Sequence, residues 1–92
     1  MPEHNAVRCV VSGLVQGVCF RASTAERATA LGICGRVRNL ADGSVELIAA
    51  GAPDAIEALV AWLWKGPARA RVHSVALEPW DGMVEPGFRV LR

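Results

Sequence analysis

The chain has 92 residues, 52% of them apolar, with ten Lys or Arg against nine Asp or Glu and a net charge of +1. That length makes one domain, residues 1–92, able to bury about 60–65% of its unfolded surface. The weak charge argues against a general nucleic-acid binder, which needs a strongly basic face, and no apolar run approaches the ~20 residues of a membrane helix.

The start, Met1-Pro-Glu-His-Asn5, lacks the basic and apolar regions of a signal peptide, so a cytoplasmic protein is expected. His4 reads as part of a frayed end. Cys9, Cys19 and Cys34 are odd in number and widely spaced, which makes neither a disulfide framework nor a zinc site. They read as reduced thiols behaving as small apolar groups.

Val7, Cys9 and Val11 alternate with Arg8, Val10 and Ser12. This predicts a strand, buried on both faces because Val10 is apolar too. Gly13 to Phe20 reads as a loop. Arg21 to Leu31 reads as a helix, with Ala22, Ala25, Ala28 and Leu31 at helical spacing and Gly32 as its stop. Ser23 and Glu26 have the spacing of a capping box at its start. Cys34 to Leu40 is a second strand, Ala41-Asp42-Gly43 a turn, and Ser44 to Ala50 a third strand. Pro53 opens a second helix, with Asp54 and Glu57 near its positive end. Its stripe is Ile56, Leu59, Val60 and Leu63, flanked by Trp62 and Trp64, which read as packing residues. Gly66-Pro67 stops it. Val72 to Leu77 is a fourth strand, residues 79–87 a turn-rich connection, and Phe88 to Leu91 a short closing strand.

The order strand–helix–strand–strand–helix–strand predicts an α+β, ferredoxin-like sandwich. Both helices lie on one face of an antiparallel sheet, and a short C-terminal strand is added. That fold hosts many functions and decides none.

The run Gly13-Leu-Val-Gln-Gly-Val-Cys-Phe-Arg21 is the chain's most informative stretch. It is a glycine-punctuated loop between a strand and a helix. Amides at a helix N-terminus point one way and carry partial positive charge, which suits an oxyanion, most often phosphate. Gly17 lets the backbone approach a ligand closely. Arg21 stands where the helix dipole disfavours a cation by about 0.3–1 kcal/mol, as though an anion lay between them. The alternative is an ordinary turn with a solvated arginine. Asn39 closes the second strand; it either caps the turn or serves a site, and the topology leaves its distance from the loop open. His73 reads as structural. No Ser-His-Asp set, carboxylate pair or metal cluster is visible.

Gly13–Arg21 resembles the first signature of the acylphosphatase family. Gly35-Arg-Val-Arg-Asn39, with Asp42-Gly43-Ser-Val45 and Gly51, resembles the second. Weaker likeness runs through Gly66-Pro67, Val72, Val75 and Phe88-Arg-Val90. The resemblance implies a ferredoxin-like enzyme that hydrolyses acyl phosphates to a carboxylate and inorganic phosphate without metal or cofactor. It makes Arg21 the phosphate-binding arginine. The amides of Gln16, Gly17, Val18, Cys19 and Phe20 become the cradle, and Asn39 the residue that orients water. Its partners are then a small acyl phosphate and inorganic phosphate, with no nucleic acid and no membrane, and a monomer is expected. Arg36 stands where the signature usually has an aromatic residue, and Leu14 where it is often basic. Cys19 replaces a usual small residue, with no redox role implied. The alternative reading is a non-catalytic phosphate-binding module of the same family. An RNA-binding domain would want aromatics on central strands, and a metal chaperone a Cys-x-x-Cys loop; neither is present.

Overall fold

Alternating apolar residues and two helical stripes set the architecture. The structure, a computed structural model, describes residues 5–92. The elements are β1 (Asn5–Leu14), α1 (Phe20–Ala30), β2 (Cys34–Asn39), β3 (Val45–Gly51), α2 (Pro53–Lys65), β4 (Arg71–Pro79) and β5 (Phe88–Val90). His4 lies outside the described residues.

The five strands form one sheet in the order β4-β1-β3-β2-β5. The pairs β1–β3, β1–β4 and β2–β3 are antiparallel. The expectation of an antiparallel sheet fails at one edge, because β5 runs parallel to β2, with Gly35 opposite Phe88 and Val37 opposite Val90. The sheet is therefore mixed. Three residues carry too little periodicity to reveal a strand's direction.

Cys9, Val11, Val37, Val45, Leu47 and Ala49 point under the helices and are buried. They meet Phe20 and Ala28 of α1 and Ile56, Leu59 and Leu63 of α2. Burial pushes the Cys9 thiol up to about 12, so it behaves as an apolar group. Trp62 packs on Phe20, ring centroids 5.9 Å apart, whereas Trp64 is exposed rather than packed.

β1 is not buried on both faces. Its Arg8, Val10 and Ser12 lie half-buried on the face that carries no helix. There Arg8 Nε and Arg38 Nε each donate to Glu46 at 2.7 Å, one to each carboxylate oxygen. Arg8 Nη1 also reaches Glu78 at 3.1 Å. Burial raises the Glu46 carboxyl, but the bonds and charges of Arg38 and Arg8 outweigh this and hold it below its ordinary range.

β1 also runs further than predicted. It continues through Gly13 to Leu14, with an irregularity between Ser12 and Gly13 where β4 has one extra residue. A side chain at Gly13 would collide with the Arg71 carbonyl oxygen, so the close approach of β1 and β4 requires glycine there.

Candidate active site

β1 and β2 run in the same direction with β3 between them, so their C-terminal ends lie at one end of the sheet. The loop after β1 and the last residue of β2 are thereby brought to one place. Val37 is buried under α1, and Asn39, two residues on, shares its face by strand alternation. That places Asn39 on the same side as the N-terminus of α1.

The loop from Val15 to Cys19 is anchored at both ends by burial. Val15 and Phe20 are each 1% exposed, while Gly17 and Cys19 between them are exposed. Gly17 has φ 76° and Cys19 φ 63°, both left-handed. For glycine this is free; for cysteine it costs on the order of 1 kcal/mol. Left-handed residues within a loop turn successive N–H groups toward one concavity.

Helix α1 begins at Phe20, so Ser23 lies inside its first turn rather than at its start. The predicted capping box is not formed. Cys19 holds the N-cap position and gives no side-chain bond, and the first intrahelical bond runs from Ser23 N–H to the Cys19 carbonyl at 3.0 Å. The amides of Phe20, Arg21 and Ala22 consequently have no intrahelical acceptor. A capping serine would have satisfied one of them.

These groups meet around a cavity of about 190 Å³ lined by Val15, Gly17, Cys19, Phe20, Arg21, Ala22, Asn39 and Val90. Of the sequence-predicted residues, Gly17, Cys19, Phe20, Arg21 and Asn39 share this cavity. Arg21 is the charged residue among its described lining, so its field favours an anion.

Gln16 and Val18 do not line it. Val18 packs against the core. The Gln16 side chain turns away, and its Nε2 donates to the carbonyls of Leu40 at 2.8 Å and Ser44 at 2.9 Å. It thus ties the loop to the β2–β3 turn that follows Asn39. That turn is closed by Leu40 N–H donating to the Ser44 carbonyl at 2.8 Å, and by Asp42, which accepts from the Ser44 amide at 2.9 Å. Hydrogen bonds from the Ser44 side chain and amide lower the Asp42 carboxyl below its ordinary value.

The guanidinium of Arg21 is held by a partner that sequence reasoning missed. Its Nη1 donates to the Leu91 carbonyl at 2.6 Å, and the Leu91 amide donates to the Val37 carbonyl at 2.8 Å. A backbone carbonyl has no sequence signature; only the parallel pairing of β5 brings it there. One of the five guanidinium donors is committed to Leu91. Arg36 is turned to the helix-free face, its guanidinium carbon 5.7 Å from the Trp80 ring centroid. His73 lies exposed on β4 and takes no part.

The family model described as Acylphosphatase matches residues 7–90. An acylphosphatase of Halorhodospira halophila is 53% identical over 83 residues, covering 90% of each chain. One of Xanthomonas oryzae pv. oryzae is 60% identical over 74 residues, covering 80% of this chain and 84% of that one. The solved structure of an acylphosphatase from Coxiella burnetii superposes with a TM-score of 0.91 at 42% identity, over 96% of this chain and 93% of the other.

Proposed function

The chain belongs to the acylphosphatase family, and from that premise we propose that the loop Gln16–Phe20, Arg21 and Asn39 carry out hydrolysis of the carboxyl–phosphate bond of acyl phosphates. One observation carries the reading. Loop residues with helix-start amides, a half-buried arginine and the asparagine of another strand line a single cavity.

The chemistry needs few groups. A carboxylate leaving group has a conjugate-acid pKa of about 4 and departs without being protonated. The loose transition state of phosphoryl transfer asks for positioning and charge more than covalent help. The free amides at the start of α1 and the uncommitted donors of Arg21 meet the equatorial oxygens. The Leu91 carbonyl anchors the guanidinium through Nη1. The Asn39 carboxamide holds a water in line with the departing carboxylate. Asparagine is a poor base, so it orients the water and a phosphate oxygen takes the proton. An alkyl ester, with a far more basic leaving group, has no acid to assist it in this cavity.

In this reading Gln16 contributes its backbone to the cradle and its side chain to the distance between cradle and Asn39. The unit acts as a cytoplasmic monomer over residues 1–92, needs no metal or cofactor, and has no nucleic-acid or membrane partner. No helix among the described residues is long and apolar enough to cross a membrane.

Phosphate release from benzoyl phosphate tests the assignment. Arg21→Gln and Asn39→Ala are each expected to lower turnover at least ~100-fold, the scale of one lost transition-state donor, while the folded spectrum is kept. Near-normal turnover by either variant would sink its assigned role. Tight phosphate binding without turnover in the parent chain would make the site a binding module instead.

A further inference from the structure

The face of the sheet without helices carries a second cavity, of about 220 Å³, lined by Arg36, Arg38, Glu46, Ile48, Trp80 and Leu91. We infer that it is a binding site for a small carboxylate with an apolar body. It is separate from the catalytic cavity. Strand alternation turns Arg36 and Arg38 to one side of β2, and Val37 and Asn39 to the other.

The charges of this cavity do not cancel. Both oxygens of Glu46 are taken, one by Arg8 and one by Arg38. Glu78 is taken by Arg8. Among the described residues Arg36 has no carboxylate. Its hydrogen bond runs from Nη1 to the Met83 carbonyl at 3.4 Å, too long to be strong. The cavity therefore holds one cation in excess.

That cation already lies against an aromatic wall. Its guanidinium lies over the Trp80 ring, and the ring is backed by Gly82, where a Cβ would come 2.7 Å from the indole. The ring face attracts the guanidinium, whose donors other than Nη1 have no side-chain or backbone acceptor among the described residues. A carboxylate matches this fork with two parallel hydrogen bonds.

The rest of the wall selects for an apolar body. Ile48 is 2% exposed, lies across from Arg36, and forms the floor with Leu91. Phosphate is a poor fit. It has no apolar part, and its second negative charge would face the Glu46 carboxylate. Benzoate, a planar ring with one carboxylate, fits both halves. Leu91 connects the two cavities, because its carbonyl holds Arg21.

The test is a titration of isotope-labelled protein, with sodium benzoate and inorganic phosphate added separately, followed by amide and indole N–H resonances. The Trp80 indole N–H is buried and has no acceptor among the described residues, so its signal reports on this wall. Benzoate is expected to shift Trp80 and the Leu91 amide saturably, and phosphate to leave Trp80 in place. Arg36→Gln is expected to weaken benzoate binding at Trp80 about tenfold or more, the scale of a lost charge-assisted pair. Arg36→Lys keeps the charge without the planar fork, and is expected to weaken it severalfold in a protein whose spectrum is otherwise unchanged. The proposal is overturned if benzoate leaves Trp80 unmoved, if phosphate moves it as strongly, or if both variants respond as the parent does. None of these readings depends on turnover.

Discussion

Under the helices, Val11, Val37, Leu47 and Ala49 meet Phe20, Leu59 and Leu63 with no charged group among them. On the opposite face the same strands present Arg8, Arg36, Arg38 and Glu46. One sheet is thus held by two kinds of force. Burial of apolar area is indifferent to pH and scales with the area removed from water, with a cavity term when a side chain is cut back. The opposite face depends on ionisation and on donors finding acceptors. The candidate active site lies at the end of the sheet, taking a rigid wall from the first and an arginine-rich neighbour from the second.

Substitutions on the two faces separate these forces. Leu47→Ala, at a side chain with no exposure, is expected to cost about 2–5 kcal/mol in denaturant unfolding, and equally at neutral and mildly acidic pH. A loss that changed strongly with pH would mean that this core is not the dry region described. Glu46→Gln leaves Arg8 and Arg38 without their shared carboxylate. It is expected to cost about 1–2 kcal/mol near neutral pH, as hydrogen bonds to charged groups do.

The pH dependence of that second loss follows from the direction of the shift. Glu46 is held below its ordinary value in the folded chain, so between the two pKa values the unfolded chain binds more protons. Its contribution is full above the unfolded value of about 4.3 and fades as pH falls through the lower folded value. Acid unfolding curves of parent and Glu46→Gln should therefore converge at low pH. Parallel curves would remove Glu46 from the account.

The smallest effect is expected at the loop that enters α1. Cys19→Gly relieves a left-handed φ of 63°, offset in part by the freer unfolded chain. A net gain of up to about 1 kcal/mol is expected, with turnover kept. Loss of stability would mean that the thiol packs in a way its exposure does not indicate.

The sequence made much of this legible. Ile56, Leu59 and Leu63 mark α2 because a helix buries every third or fourth residue, and Asp42-Gly43 marks the turn because few residues tolerate its backbone. The loop Gly13–Arg21 is legible because glycines before a helix start, with an arginine where the helix dipole disfavours a cation, suit an anion. Other features lie outside what periodicity encodes. Helix α1 starts at Phe20 rather than Arg21, with Cys19 at its N-cap, so Ser23 and Glu26 lie inside it and form no capping box. Gln16 read as a backbone contributor, yet its side chain bridges 24 and 28 residues of chain. The Leu91 carbonyl and the direction of β5 depend on pairing across the whole chain, which no local window contains.

The Gln16 bridge has a mechanical consequence. One carboxamide grips two carbonyls of the turn beside Asn39, so cradle and turn are stapled together rather than hinged. Separating cradle from turn costs both bonds, on the order of 1–3 kcal/mol. Opening of the cradle alone is therefore rarer than in a loop without the bridge, by the Boltzmann weight of those two bonds.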